Sequence, residues 1–214
     1  MKIPHLKFIS ILLLSMTGNV YAGLISSNFD TNAEDWLVSG DSTSGVPTYI
    51  NSGGNLGGYI EAEDTVAGGV WYFDAPVKFL GNMTGAYNQA LQYDLKQTGI
   101  GDQFTARDVI LNGAGIELKY YGSSHPLPLG SWVSYSVLLD ESAGWLNGAA
   151  AASQADILTV LGSLDRLRIR GEFITGSDTG RLDSVSISTV PIPGAVWLFG
   201  SALVGFMGFS GKKS

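Results

Sequence analysis

Two groups of carboxylates stand close together along the chain: Glu61, Glu63 and Asp64, and the adjacent pair Asp140 and Glu141. Cleaving a glycosidic bond takes two carboxyl groups about 5–10 Å apart across a cleft, one of them held protonated. Nearness in sequence does not supply a cleft, and acidic loops are ordinarily solvated, so neither group is assigned a catalytic role. Nucleophilic chemistry has less to work with. Of the two histidines only His125 lies within the body of the chain, beside Pro126 and near Pro128, and it reads as a solvated loop residue. The nucleophile-elbow pattern Gly-x-Ser-x-Gly does not occur. No cysteine is present, which excludes thiolate zinc sites and disulfide staples alike. Sugar recognition draws instead on exposed rings that stack on sugar faces, helped by a few polar groups. Trp71 and Trp132 lie in apolar runs and read as core, whereas Tyr120, Tyr121 and Trp145 flank glycine-containing loops and are the candidate sugar-binding aromatics.

The elements that would hold these side chains are mainly strands. Residues 91–97 (Leu-Gln-Tyr-Asp-Leu-Lys-Gln) alternate apolar and polar, as do 116–120, 132–139, 167–173 and 182–188, the signature of half-buried strands. Shorter β-favouring runs occupy 59–62, 70–73 and 108–111, with Gly113-Ala114-Gly115 as a turn. Clusters of Gly, Ser and Asn at 39–45 and 51–58 mark loops. One segment departs from period two. Ser153 is a good N-cap, Asp156 complements the helix dipole, and Ile157, Leu158 and Leu161 share a face, so a short helix is expected there. The spacing of strands fits an all-β sandwich or jelly roll of one domain, residues 23–189.

Both ends of the chain differ from this domain. Met1 to Lys7 is basic, Phe8 to Leu14 is apolar, and a polar stretch runs to Val20-Tyr21-Ala22, which matches a secretory signal peptide over residues 1–22 with cleavage after Ala22. From Ile192 to Phe209 no charge occurs; at about 1.5 Å per residue this run would extend roughly 27 Å as a helix, enough to cross a bilayer. Lys212 and Lys213 follow it and would hold that end in the cytoplasm. Residues 190–214 are thus expected to carry a transmembrane helix, with the domain outside the cell. All nineteen acidic side chains but only eight of the twelve basic ones lie in the domain, the other four being Lys2, Lys7, Lys212 and Lys213, so the domain carries a net charge of −11. Such a surface repels nucleic acid and tolerates cations.

The terminal run Val190-Pro191-Ile192-Pro193-Gly194-Ala195-Val196-Trp197-Leu198-Phe199-Gly200-Ser201, closed by Lys212 and Lys213, resembles the PEP-CTERM sorting signal of Gram-negative bacteria, with Ile192 where that family's name has Glu. The resemblance implies handling by an exosortase and delivery to the cell surface or extracellular matrix, the tail being either cut or kept as an anchor. Pro191, Pro193, Trp197, Lys212 and Lys213 carry it. The domain resembles a laminin B (domain IV) module, on Asn28-Phe29-Asp30, Trp36, Gly57-Gly58-Tyr59-Ile60, the long run Gly69-Val70-Trp71-Tyr72-Phe73-Asp74-Ala75-Pro76-Val77-Lys78-Phe79-Leu80-Gly81, then Leu91 to Leu95, and Leu182-Asp183-Ser184-Val185. That resemblance implies a jelly-roll sandwich similar to bacterial carbohydrate-binding modules and no catalytic constellation. Jelly rolls of this kind often hold a structural calcium between first and last strands, which would make Asp30 and Asp183 its ligands.

The sequence therefore leads to an exported, non-enzymatic adhesive module that binds extracellular polysaccharide. Two alternatives stand beside it: a structural biofilm component making protein contacts only, and an enzyme acting on exopolysaccharide. Expected partners are the exosortase, a polysaccharide or matrix protein, and the membrane, at least transiently.

Overall fold

In the computed structural model, the described residues are 23–42, 45–64, 68–127 and 130–190. The signal peptide, the sorting residues Pro191, Pro193, Trp197, Lys212 and Lys213, and the expected membrane helix lie outside them. Among the described residues no helix is long and apolar enough to cross a membrane.

Alternation in the sequence becomes a two-sheet antiparallel sandwich. One sheet has six strands. Its spine is β13 (Thr179–Thr189), which pairs along one side with β6 (Ala90–Gln97) and along the other with β4 (Tyr59–Glu63) and then β1 (Gly23–Ser27). Strand β9 (Val133–Leu138) closes one edge beside β6, and β3 (Thr48–Ile50) closes the other beside β4. The facing sheet runs β11 (Ala150–Ala151), β10 (Leu146–Asn147), β8 (Ile116–Tyr120), β7 (Val109–Gly113), β12 (Leu164–Arg170), β5 (Tyr72–Asp74) and β2 (Leu37–Ser39).

Period two sorts each strand into a core face and an outer face. In β6, Leu91, Tyr93 and Leu95 are buried while Gln92 faces out. In β9, Val137 is buried between the exposed Ser136 and Leu138. In β13, Leu182 and Val185 are both fully buried although three residues apart. The reason is a bulge: Ser184 takes a left-handed φ of 52°, and the register against β6 shifts between Asp183 and Ser186, which resets the pleat. Each large apolar side chain buried in this way contributes about 1.5–3 kcal/mol, opposed by the entropy of ordering the chain.

The single helix of the described residues, α1 (Gln154–Gly162), begins where its sequence indicates. Ser153 and Asp156 form a reciprocal capping box, Ser153 Oγ accepting from Asp156 N at 3.2 Å and Asp156 Oδ2 accepting from Ser153 N at 2.8 Å. It buries Ile157, Val160 and Leu161; Val160 takes the place expected for Leu158, which is half-buried. The following strand ends at Arg170, three residues short of the expected 173. Gly171 leaves the ladder to pass beneath the Trp71 ring, and a Cβ there would overlap that ring. Trp71 is fully buried, as its apolar run indicates.

Candidate functional site

The outer face of the six-stranded sheet is polar, and it is recessed. Serines alternate with core residues in three neighbouring stretches: Ser26 on β1, Ser184 and Ser186 on β13, and Ser134 and Ser136 on β9. With Gln92 and Asp94 of β6 they line a groove of about 450 Å³. Leu24 and Leu56 stand at its margin, 66% and 74% exposed. Asp94 is the one ionisable carboxylate among the lining residues, and no basic side chain joins it.

A loop, residues 51–58, walls one end, and its position is set by hydrogen bonds to the sheet. Asp183 Oδ2 accepts from Asn55 N at 2.7 Å and Leu56 N at 3.1 Å, while Oδ1 accepts from Ser184 N at 2.6 Å. Asn55 Nδ2 donates to Asp94 Oδ2 at 2.8 Å. Gly54 is required here, since a Cβ would lie 2.6 Å from Asp183 Oδ2. Burial pushes the Asp183 carboxyl above its usual range, although three backbone amides pull the other way. Trp132 packs against this loop: its indole N–H donates to Gly53 O at 3.1 Å, and its ring meets Tyr59 edge-on with centroids 5.5 Å apart. Arg181 lies over Tyr59 at 5.2 Å and pairs with Glu61 at 2.9 Å.

The candidate aromatics do not form one platform. Tyr121 is exposed, at 44%. Tyr120 is half-buried with its ring 5.4 Å from that of Trp145. Trp145 corrects the expectation of a surface residue, because it is 1% exposed and donates to Leu138 O at 2.8 Å. Asp140 caps the 3-10 turn Glu141–Ala143 and Gly144 is left-handed (φ 89°), and this turn directs Trp145 between the sheets. Trp132, expected in the core, is half-buried against the 51–58 loop. His125 also departs from a solvated loop residue: its Nε2 lies 3.3 Å from Asp108 Oδ2 and its ring packs on Phe173 at 5.3 Å.

The carboxylates fall into structural roles. Glu61 is paired with Arg181, Asp140 caps a turn, and Glu141 accepts from Tyr87 Oη at 2.7 Å. Asp30 is exposed and lies beside Gly57, across the 51–58 loop from Asp183. The Asp183 carboxylate faces amide N–H groups, whose positive ends oppose a cation, so these two residues do not fit a calcium cage as placed. Among the described residues no three Asp, Glu or His side chains converge to hold a metal.

Residues 72–195 match the family model described as Laminin B (Domain IV). This chain belongs to that family. The laminin B match starts beside Trp71 and takes in the helix, the bulged strand β13 and most of the groove. Laminin subunit gamma-2 of Equus caballus is 37% identical over 129 residues, covering 58% of this chain and 10% of its own length. A basement membrane proteoglycan of Caenorhabditis elegans is 30% identical over 132 residues, covering 60% of this chain and 4% of its own. The chain thus spans about a tenth or less of the curated relatives it matches. Among solved structures, the L4b domain of human laminin alpha-2 superposes with a TM-score of 0.54 at 14% identity, over 66% of this chain and 96% of that domain, which establishes the shared fold.

The groove serines escaped sequence reasoning, though their signal was present. Ser134-Tyr135-Ser136-Val137 and Ser184-Val185-Ser186-Ile187 place the core residues on one face, and the same alternation places serines on the other.

Proposed function

We propose that this laminin B domain is a non-catalytic adhesive module that holds an extracellular polysaccharide in the serine-lined groove. The groove itself carries the reading. It is a recess in which serine hydroxyls and the amides of Asn28 and Gln92 stand among apolar and tyrosine surface, with one carboxylate and no cation, suited to an uncharged chain rich in hydroxyls. Relatives named as laminin subunits and a basement membrane proteoglycan support an extracellular matrix role. The signal-like start and the PEP-CTERM-like end support export by a Gram-negative cell, with an exosortase cutting the tail or leaving it as an anchor.

A glycan array probed with the protein tests the reading. Retention on at least one neutral polysaccharide is expected. Ser186→Trp, which fills the groove from an outward position, is expected to abolish retention with the melting temperature unchanged. If no glycan is retained, polysaccharide binding is wrong. A second reading, protein contacts only, is favoured by Leu24 and Leu56, both exposed at the groove margin. Capture of matrix protein in place of glycan would establish it.

A further inference from the structure

On the core side of β9 the sandwich opens into a second recess, of about 200 Å³. Both sheets line it: Tyr93 and Tyr135 from β6 and β9, Tyr120 at the end of β8, then Asp108 and Ser124 from the loops flanking β7 and β8. Tyr93 and Tyr135 are cross-strand partners with rings stacked at 5.4 Å and 17°. The Tyr135 hydroxyl is enclosed and makes no hydrogen bond. A polar group buried in this way ordinarily costs about 1–3 kcal/mol, and most such groups in folded proteins find a partner. Burial raises both phenols, so they remain protonated donors at neutral pH.

Charge in the recess is already balanced. Asp108 Oδ1 accepts from the fully buried Arg170 Nη1 at 3.1 Å, and Oδ2 accepts from Gly122 N at 2.5 Å. Arg170 is fixed in turn by Phe104 O at 2.8 Å and lies between the Phe104 and Phe173 rings at 4.5 and 4.4 Å. An anionic ligand would meet Asp108 with Arg170 already committed to it and His125 Nε2 also held beside its Oδ2, at 3.3 Å. A cationic ligand would find that carboxylate neutralised. The volume exceeds the roughly 30 Å³ share of one water and falls below the roughly 300–1,000 Å³ of drug-sized sites.

We infer that this recess is a separate binding site for one uncharged, hydroxyl-bearing ring, a single sugar unit or cyclic polyol, which supplies the missing partner of Tyr135 Oη. The inference goes beyond the groove and does not rest on it, although the two recesses adjoin and Tyr93, Ser134, Tyr135 and Ser136 line both.

Calorimetric titration of the full chain with glucose, N-acetylglucosamine and myo-inositol, against glucuronate and choline as charged arms, tests it. At least one neutral ring is expected to bind saturably, and both charged probes at least about tenfold more weakly. Tyr135→Phe removes a hydroxyl that has no partner, so the fold is expected to keep or raise its melting temperature while affinity falls about fivefold to tenfold. Ser124→Trp, at the exposed mouth, is expected to abolish binding. No saturation by any neutral ring overturns the inference, as does equal binding by Tyr135→Phe or preference for a charged probe. Ser186→Trp separates the two sites. Ring binding that survives it, with polymer retention lost, supports both; polymer retention without ring binding leaves the groove standing and removes the recess.

Discussion

Glu172 lies 4% exposed behind Trp71, whose backbone N–H it accepts at 3.3 Å. Burial, and then the charges of Asp64 and Asp41, raise its pKa from 4.5 to about 7. The folded protein therefore binds more protons than the unfolded chain between those values. Stability falls as pH rises from about 4.5 to about 7 and stays lowered above that. Glu172→Gln is neutral at every pH and keeps an acceptor for Trp71. Urea melts should show the variant about 3 kcal/mol more stable than the parent at pH 8 and little changed near pH 4.5. Equal stabilities at pH 8 would show that the carboxyl ionises without penalty. At this scale the sequence is a poor guide to exposure. Trp132 and Trp145 sit in similar local contexts, yet one lies half-buried against the 51–58 loop and the other in the core, because a left-handed Gly144 and a capped turn redirect the second. Local pattern does not encode where a turn aims the next residue.

Elements were far more legible than residues. Strands of five or more residues with clean alternation, such as β6, β8 and β9, are where period two places them, and α1 begins at its capping residue. Strands β2, β3, β10 and β11 are two or three residues long, too short to show a period, and exist because a neighbouring strand offers an edge. The loop 51–58 reads as glycine-rich punctuation, but its clamp, Asp183, lies more than a hundred residues away in sequence. Asp183→Ala removes the acceptor for three amides, two of them in the loop, and is expected to cost about 2 kcal/mol. Hydrogen exchange offers the sharper check: protection at Asn55 and Leu56 should vanish while that of β4 persists. Loss of protection across the whole sheet would mean Asp183 supports the fold and not the loop.

The whole molecule combines a laminin B sandwich with two differently composed ends, and its domain charge of −11 leaves the groove almost neutral. Family and sandwich were legible because their motif is long and ordered, as in the run from Gly69 to Gly81. The groove was not, since a recess arises from four strands that the sequence scatters over some 160 residues.

Strand β1 lies antiparallel to the end of β13, Gly23 opposite Thr189 and Ser27 opposite Val185. The domain's two ends therefore leave it side by side, which makes its resistance to force depend on where it is gripped. Pulled apart at Gly23 and Thr189, β1 peels away with its ladder bonds breaking one after another. Pulled at Thr189 against a ligand seated in the groove, β13 is loaded along its length, and its bonds to β6, β4 and β1 share the strain. Single-molecule stretching should give a low rupture force for the first geometry and a several-fold higher one for the second; equal forces would mean that β13 does not carry the load. A tether on the C-terminal side would then make this module hardest to unravel when it is holding on.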